Sequence, residues 1–341
     1  MYYDHNATSP MPPSVQRAVS DAMADCWANP SSPHRMGQSA AMAVQRSRTA
    51  IAARLGVLPK QVFFTSGATE ANAWLLSNAT VPVLASSTEH PSVLAWATEQ
   101  IPVDRRGLVD LVWLKGRLED GPALVSVMAA NNETGVIQPL SDIHAICQRF
   151  GAPLHCDATQ WLGRMSEPVS ADWITISAHK FGGPRGVGAL VGRAPDSSLL
   201  RGGSQERGHR AGTLNVPGIV GFGAAVETAG STSSLERDRL EAFCVERGGT
   251  VVGSGAPRLP NTLCVLFGHP GDMLVAALDL EGVFASTGSA CSSGSAQESH
   301  VLRAMGISGV PVRFSFGPDT SATPAMEALD RVLTRMGESC A

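Results

Sequence analysis

The stretch Ser177-Ala-His179-Lys180 decides the interpretation of this sequence, because it joins two segments of opposite character. Residues 172–176, Asp-Trp-Ile-Thr-Ile, are mostly apolar and β-branched, which is typical of a buried strand. Residues 181–188, Phe-Gly-Gly-Pro-Arg-Gly-Val-Gly, contain too much glycine and proline for helix or sheet. Burial at this junction would favour a neutral lysine amine, and a neutral amine attacks carbonyl groups. The alternative is a solvated surface lysine, which is the commoner case.

Several other predicted strands also end in polar side chains. Strands alternate with helices between residues 61 and 191, an order that predicts βαβ units and a mostly parallel sheet. Ligands bind at the carboxyl edge of such sheets. We therefore expect one binding site where these side chains meet. The set is His90, Asn132, Asp157, Gln160, His179 and Lys180.

The segment Ser66-Gly67-Ala68-Thr69-Glu70 lies between a predicted strand at residues 61–65 and a predicted helix. The free N–H groups at a helix start bind phosphate, and the Thr69 hydroxyl adds a donor. An ordinary helix cap with an acidic first turn has the same pattern. The sequence contains no nucleotide P-loop, G-x-x-x-x-G-K-[ST], and no G-x-G-x-x-G after a strand.

The composition changes at residues 230–234, Gly-Ser-Thr-Ser-Ser, where we place a domain boundary. A chain of 341 residues is long enough for about two domains. Residues 12–229 are predicted to form a large ligand-binding domain. Residues 1–11 and 230–341 are predicted to form a smaller α/β domain that carries a mobile cysteine loop.

That loop contains Cys291 among serine and glycine residues. Free cysteines are usually small buried hydrophobic residues, but an exposed thiol is reactive if its thiolate is stabilised. Further along, Arg313 interrupts an otherwise apolar strand. A buried guanidinium needs an anion, either a substrate carboxylate or an internal salt-bridge partner.

The composition excludes several other classes of protein. A net charge of −4 without a basic run disfavours nucleic acid, and no apolar run approaches the roughly 18 residues of a membrane span. The seven cysteines contain no C-x-x-C pair, so we expect reduced thiols and neither a disulfide framework nor a metal site. The first residues do not resemble a signal peptide, so a cytoplasmic location is expected.

With these residues gathered, the sequence resembles cysteine desulfurases of the NifS/IscS type, within the class V, fold-type I pyridoxal-phosphate enzymes. The resemblance covers nearly the whole length and implies a large domain with a mostly parallel sheet plus a smaller α/β domain. The matching segments are Tyr3-Asp-His-Asn-Ala-Thr-Ser-Pro, Thr65-Ser-Gly-Ala-Thr-Glu, Glu89-His90, Asn131-Asn-Glu-Thr-Gly, Asp157-Ala-Thr-Gln, Ser177-Ala-His-Lys, residues 205–213, the Cys291 loop with His300-Val-Leu-Arg, and Val312-Arg-Phe-Ser.

The resemblance implies a role for each site residue. Lys180 would hold pyridoxal phosphate as a Schiff base, Asp157 would pair with its ring nitrogen, and Gln160 would bond its phenolic oxygen. His90 would stack on the ring and move protons. The phosphate would be bound by Ala68, Thr69, Ser177, His179 and, from the neighbouring subunit of a homodimer, Thr213.

The remaining implied roles concern the substrate. Asn132, also counted among the cofactor-binding residues, and Arg313 would hold the carboxylate of L-cysteine. Cys291 would attack its sulfur, become a persulfide and release alanine, and the sulfur would pass to iron–sulfur cluster assembly or to another acceptor or scaffold protein. Two other interpretations stay open: a selenocysteine lyase or class V aminotransferase, and a catalytically silent partner in an assembly complex. An intact Cys291 favours desulfuration, and the retained lysine and aspartate disfavour the silent partner.

Overall fold

The structure is a computed structural model that describes residues 1–288 and 299–338. Its larger sheet has seven short strands in the order β1-β7-β6-β5-β4-β2-β3 within the described part of the chain. Strands β2 to β6 pair in parallel, and β7 is antiparallel to both β1 and β6. The strands are β1 (Val62–Thr65), β2 (Val83–Ser86), β3 (Glu99–Ile101), β4 (Leu124–Ser126), β5 (Leu154–Asp157), β6 (Trp173–Ser177) and β7 (Gly188–Gly192).

Helices cover both faces of this sheet. Phe63 and Phe64 are neighbours on β1 and point to opposite faces, as strand geometry requires. Phe64 packs on one face against Phe222, whereas Phe63 packs on the other against Trp74, with ring centroids 6.4 and 5.7 Å apart. The helices are α1 (Pro13–Asp25), α2 (Arg35–Leu55), α3 (Ala68–Leu76), α4 (Pro91–Leu94), α5 (Leu111–Glu119), α6 (Leu140–Phe150) and α7 (Val216–Thr228).

Glycine ends two of these helices. Gly56 follows α2 with φ 68°, and Gly151 follows α6 with φ 63°. Both lie in the left-handed region, which glycine enters without the penalty that a Cβ imposes. Each helix therefore ends at its glycine, and the chain turns back toward the next strand.

A second sheet of three antiparallel strands follows in the order β10-β9-β8. Its separate apolar core includes Leu263, Phe314 and Leu329 and also takes in Tyr3 from the beginning of the chain. The predicted class, α/β with a mostly parallel large sheet, is confirmed, whereas the division into domains stays a prediction. The elements are α8 (Leu235–Glu246), β8 (Thr250–Val251), β9 (Thr262–Leu266), α9 (Gly271–Leu280), α10 (His300–Ala304), β10 (Val312–Ser315) and α11 (Thr323–Glu338).

Residues 3–9, which we call the N-terminal segment, connect the two sheets. Tyr3 and His5 exchange backbone hydrogen bonds with Ser315 on β10 at 2.7 and 3.3 Å. Ser9 then donates from its backbone N–H to the carbonyl of His179 at 2.9 Å, just after β6. The segment therefore crosses from the small sheet to the carboxyl edge of the large sheet. No helix in the described residues is both long and apolar enough to cross a membrane.

Candidate active site

A cavity of about 1040 Å³ opens at the carboxyl edge of the large sheet, and residues from both sheets line it. Because parallel strands end at the same edge, their terminal side chains meet there. Ten of the residues predicted from the sequence line this cavity. They are Ala68, Thr69, His90, Asn132, Asp157, Gln160, Ser177, His179, Lys180 and Arg313.

Lys180 lies on a single 3-10 turn, Ala178–Phe181, directly after β6. Gly182 ends the turn with φ 88°, a conformation that glycine adopts readily. The Lys180 Nζ donates to the backbone carbonyls of Asn6 at 2.8 Å and Ala7 at 3.0 Å. The N-terminal segment therefore supplies the acceptors that hold the amine at the cavity wall.

Asp157 ends β5 and is 5 % exposed. Its Oδ2 accepts from Asn72 Nδ2 at 2.9 Å, and its Oδ1 accepts from the backbone N–H of Thr159 at 3.0 Å. Asn72 also donates to Ser92 Oγ at 3.0 Å, and Ser92 Oγ lies 2.8 Å from His90 Nδ1. A continuous hydrogen-bond chain thus joins the buried carboxylate to the imidazole.

The His90 ring is fixed at the start of α4. Its Nδ1 accepts from the backbone N–H of Ser92 at 3.1 Å. Burial lowers the pKa of His90, Asp157 opposes this shift, and Lys180 and His300 add to it. His90 is therefore a neutral imidazole at pH 7, able to accept a proton.

The Ser66–Thr69 turn lies against β7, where Gly188 permits an unusually close approach. A Cβ on Gly188 would lie 2.7 Å from the Cα of Gly67, so no larger residue fits without a shift. The backbone N–H groups of Ala68 and Thr69 belong to the first turn of α3 and have no partner four residues earlier in the helix. Both residues line the cavity, and free N–H groups at a helix start are potential donors to an anion.

Ser177 and His179 also line the cavity. His179 Nδ1 lies 3.2 Å from Thr8 Oγ1. Burial lowers the pKa of His179 to about 4, and the positive charges of Lys180, Arg185 and Arg164 reinforce the shift. The His179 imidazole is therefore neutral at pH 7.

Arg313 enters the cavity from β10 of the small sheet, although it is only 1 % exposed. Its Nη1 donates to the carbonyls of Asn132 and Gly288, both at 3.0 Å. Its Nη2 donates to Asp4 Oδ1 at 2.5 Å. The sequence left a substrate carboxylate and an internal salt bridge as alternatives. The salt bridge to Asp4 exists, and the arginine nevertheless lies at the cavity.

Two predicted residues stand apart from the others. Thr213 is exposed and does not line the cavity of its own chain. Cys291 lies outside the described residues, so its predicted role stays a prediction.

Sequence reasoning missed several polar residues that support the site. Asn6 is buried under Lys180 and Gln160, Asn72 is buried beside Asp157, and Glu133 accepts from Ser299 Oγ at 2.5 Å. Asn72 could have been predicted from the sequence, because an amide on the apolar face of a short helix needs a polar partner. Asn6 lies in the matching segment that begins at Tyr3, but no local pattern predicts its role, since its partners come from distant parts of the chain.

Comparison with known proteins decides the family. Residues 1–324 match the family model described as aminotransferase class-V. The chain belongs to this family. Within this family it is similar to a cysteine desulfurase of Cereibacter sphaeroides, with 38% identity over 98% of this chain and 94% of the relative. A cysteine desulfurase IscS of Dictyoglomus turgidum is 35% identical over 98% of this chain and 95% of its own length.

Solved structures agree with this family assignment. A NifS-like protein superposes with a TM-score of 0.90 at 32% identity, covering 99% of both chains. SspA, solved in complex with cysteine, superposes with a TM-score of 0.82 at 30% identity, covering 93% of this chain and 99% of its own. The fold is therefore that of the fold-type I pyridoxal-phosphate enzymes, as predicted.

Members of this family depend on pyridoxal phosphate, and the described residues fit that cofactor. The cavity offers an amine at Lys180, a buried carboxylate at Asp157 and the anion-binding start of α3. Two buried polar atoms of its wall, Gln160 Oε1 and Thr159 Oγ1, have no hydrogen-bond partner among the described residues. Buried polar atoms normally have partners, so both suit a polar ligand.

Proposed function

We propose that the protein is a pyridoxal-phosphate-dependent cysteine desulfurase that converts L-cysteine to L-alanine and keeps the sulfur as a persulfide on Cys291. The single observation that carries the proposal is the placement of Lys180, Asp157 and Arg313 around one cavity. An amine, a buried carboxylate and a buried arginine are the groups that an amino-acid-processing enzyme of this family needs. The relatives named as cysteine desulfurases, and SspA solved with cysteine, support the choice of substrate.

One end of the cavity, which we call the cofactor end, would hold pyridoxal phosphate through Ala68, Thr69, Asp157, Ser177 and Lys180. His179 and Gln160 would add polar contacts to the phosphate and the ring. When bound, the cofactor withdraws electrons from the amino acid attached to it. Lys180 would attach the cofactor covalently, and Asp157 would pair with the ring nitrogen. Asn72 and the Thr159 backbone hold the Asp157 carboxylate in one orientation.

Proton handling falls to His90 and Lys180. His90 is neutral and fixed by Ser92, so it accepts a proton without first losing one. Lys180 Nζ rests on two backbone carbonyls, which bind it in either protonation state. Both groups line the cavity, and Lys180 belongs to its cofactor end.

The other end of the cavity, which we call the carboxylate end, consists of Asn132 and Arg313. The Arg313 guanidinium is desolvated, so a carboxylate would bind it more strongly than in water. Its bonds to Asp4, Asn132 and Gly288 keep it from folding away. The carboxylate of cysteine would therefore be held at a fixed distance from Lys180.

In the overall reaction the C–S bond of cysteine breaks and an S–S bond to Cys291 forms. The β-carbon gains a proton and becomes the methyl group of alanine. The two sulfur atoms together lose the two electrons that the β-carbon gains, so no outside oxidant is needed. The persulfide would pass to iron–sulfur cluster assembly or to another sulfur acceptor.

We further propose a cytoplasmic homodimer in which Thr213 completes the phosphate site of the partner subunit. Thr213 is exposed and lies away from the cavity of its own chain, which leaves it available to a second chain.

The proposal is tested by spectroscopy and by product analysis. The purified protein should be yellow, and borohydride should abolish the visible band. Incubation with L-cysteine and a thiol reductant should release alanine and sulfide in equal amounts. Cys291→Ala should abolish sulfide release and keep the colour, with Cys26→Ala as the matched control.

Two results would contradict the proposal. A colourless protein that cannot be reconstituted with pyridoxal phosphate would indicate the silent assembly partner. A coloured protein that transfers amino groups, or that acts on selenocysteine but not on cysteine, would indicate the aminotransferase or the selenocysteine lyase.

A further inference from the structure

Asn6, in the N-terminal segment, uses every hydrogen-bonding position of its side chain. The residue is 1 % exposed. Its Nδ2 donates to the carbonyl of Asn132 at 3.1 Å and to Thr262 Oγ1 at 2.9 Å. Its Oδ1 accepts from Arg164 Nη2 and from Asn261 Nδ2, both at 3.2 Å. A buried amide satisfied at four positions has one allowed orientation.

The backbone of Asn6 contacts the site as well. Its carbonyl accepts from Lys180 Nζ at 2.8 Å and from Gln160 Nε2 at 3.0 Å. Its N–H donates to Ser315 Oγ on the small sheet at 2.9 Å. Asn6 therefore touches Lys180 and Gln160 of the large sheet through the same carbonyl.

Arg164 makes the side chain of Asn6 electrostatically important. Arg164 is 3 % exposed and forms no ion pair with any carboxylate in residues 1–288 and 299–338. Its Nη2 donates to Asn6 Oδ1 and to the carbonyls of His5 and Lys180, at 3.2, 3.3 and 3.1 Å. A buried cation without an anion depends on such neutral acceptors.

We propose that Asn6 is a positioning residue that sets the spacing between Lys180 and Asn132, and thus between the amine and the carboxylate end of the cavity. The inference rests on the proposed function, which assigns the carboxylate end. One residue bonds to Lys180 through its carbonyl and to the Asn132 carbonyl through its side chain. A shift of Asn6 as a whole therefore moves both contacts together.

Two variants separate the contribution of the Asn6 Nδ2 donations from that of the whole Asn6 side chain. Asn6→Asp keeps the size and the acceptor oxygens and gives Arg164 a carboxylate partner, so the fold should be retained. It loses both Nδ2 donations and places an oxygen against the carbonyl of Asn132. Asn6→Ala removes the whole side chain and should also lower the thermal midpoint.

In both variants we expect the KM for cysteine to rise roughly 10-fold, the effect of losing a buried hydrogen bond. We also expect slower attachment of added pyridoxal phosphate to Lys180 in the apoprotein, by at least about threefold. Attachment is followed as the growth of the borohydride-sensitive band. It requires no turnover of cysteine.

Asn261→Ala is the matched control. Asn261 is also 1 % exposed, and its Nδ2 donates to Asn6 Oδ1 and to the carbonyl of Phe316, but its side chain bonds neither to Lys180 nor to Asn132. We expect this variant to lower the thermal midpoint and to leave the KM and the attachment rate near those of the wild type.

Unchanged KM and attachment rate in Asn6→Asp would overturn the inference. So would equal changes in Asn261→Ala, because Asn6 would then act only through fold stability. If the wild type binds the cofactor but does not desulfurate cysteine, the proposed function fails. The attachment rate alone then decides the role of Asn6.

Discussion

The two ends of the cavity are built differently. At the cofactor end, Asp157 and Ser177 are the last residues of strands β5 and β6, and Lys180 follows β6 by one short turn. At the carboxylate end, Arg313 is held by Asp4, Asn132 and Gly288, which lie 309, 181 and 25 positions away in the chain. These three residues of the cofactor end are placed by the strand that directly precedes each of them, whereas Arg313 at the carboxylate end is held by distant parts of the chain.

This difference suggests how each end responds to mutation. A strand end is held by its sheet, so replacing one side chain removes a chemical group and leaves the backbone in place. The carboxylate end depends on contacts between the small sheet, the N-terminal segment and the turn after β4. Replacing a residue there should alter the position of several neighbours at once. The following tests measure this contrast.

The largest effect is expected for Lys180→Ala at the cofactor end. Under the proposed function, loss of the amine would remove both the covalent attachment and a proton-transfer group, so kcat should fall about 10³-fold or more. The borohydride-sensitive band should be lost as well, while the thermal midpoint of the apoprotein stays near the wild-type value. Lys115→Ala, at an exposed ion pair, is the control. A variant that kept the band would refute the assignment of Lys180.

Arg313→Lys tests the carboxylate end with the positive charge retained. The ammonium cannot reproduce the guanidinium bonds to Asp4, Asn132 and Gly288, so kcat/KM for cysteine should fall roughly 100-fold through KM. The visible band should remain. Steady-state kinetics and absorbance check both expectations, with Arg331→Lys at an exposed pair as the control. A loss of kcat at unchanged KM would show that the carboxylate binds elsewhere.

Asn72→Ala tests a residue that acts through Asp157. Removing its amide leaves Asp157 Oδ2 without this donor, and a hydrogen bond to a charged group contributes about 1.5–3 kcal/mol. Affinity for pyridoxal phosphate should fall roughly 10-fold or more, measured by equilibrium titration of the apoprotein. Asn78→Ala, just after the same helix, should bind the cofactor normally. Equal loss in both variants would mean that Asn72 matters only for helix packing.

The smallest effect is expected for the pH dependence of stability, through His155 on β5 of the large sheet. His155 is fully buried between Ser126 Oγ and Thr175 Oγ1, and burial lowers its pKa to about 4. The unfolded chain binds this proton below a pH of about 6.5, whereas the folded protein does not until about 4. Stability should therefore fall as the pH is lowered from 6.5 toward 4.

Thermal midpoints across this pH range check that expectation. In His155→Gln the decline should be shallower, although the variant is less stable at pH 7.5. His144→Gln, on α6, is the control. A wild-type midpoint independent of pH between 6.5 and 4 would contradict the assignment of a neutral buried histidine.

Sequence patterns predicted much of the fold because the relevant physics is local. The apolar run before Ser177 formed a strand as predicted, and glycine ends two helices at Gly56 and Gly151 through its own backbone freedom. Lys180 came to the cavity because a turn must follow a strand, and strand ends share one edge of a parallel sheet. None of these inferences needed knowledge of a distant partner.

The sequence by itself determined the class of the fold and the side chains at the carboxyl edge of the large sheet. Only the tertiary structure decided that Asp4 pairs with Arg313 and that Asn6 contacts Lys180 and Asn132. The physical reason is distance along the chain. Strand periodicity and turn chemistry act over a few residues, whereas these bonds join residues more than 120 positions apart and form only once the sheets have packed.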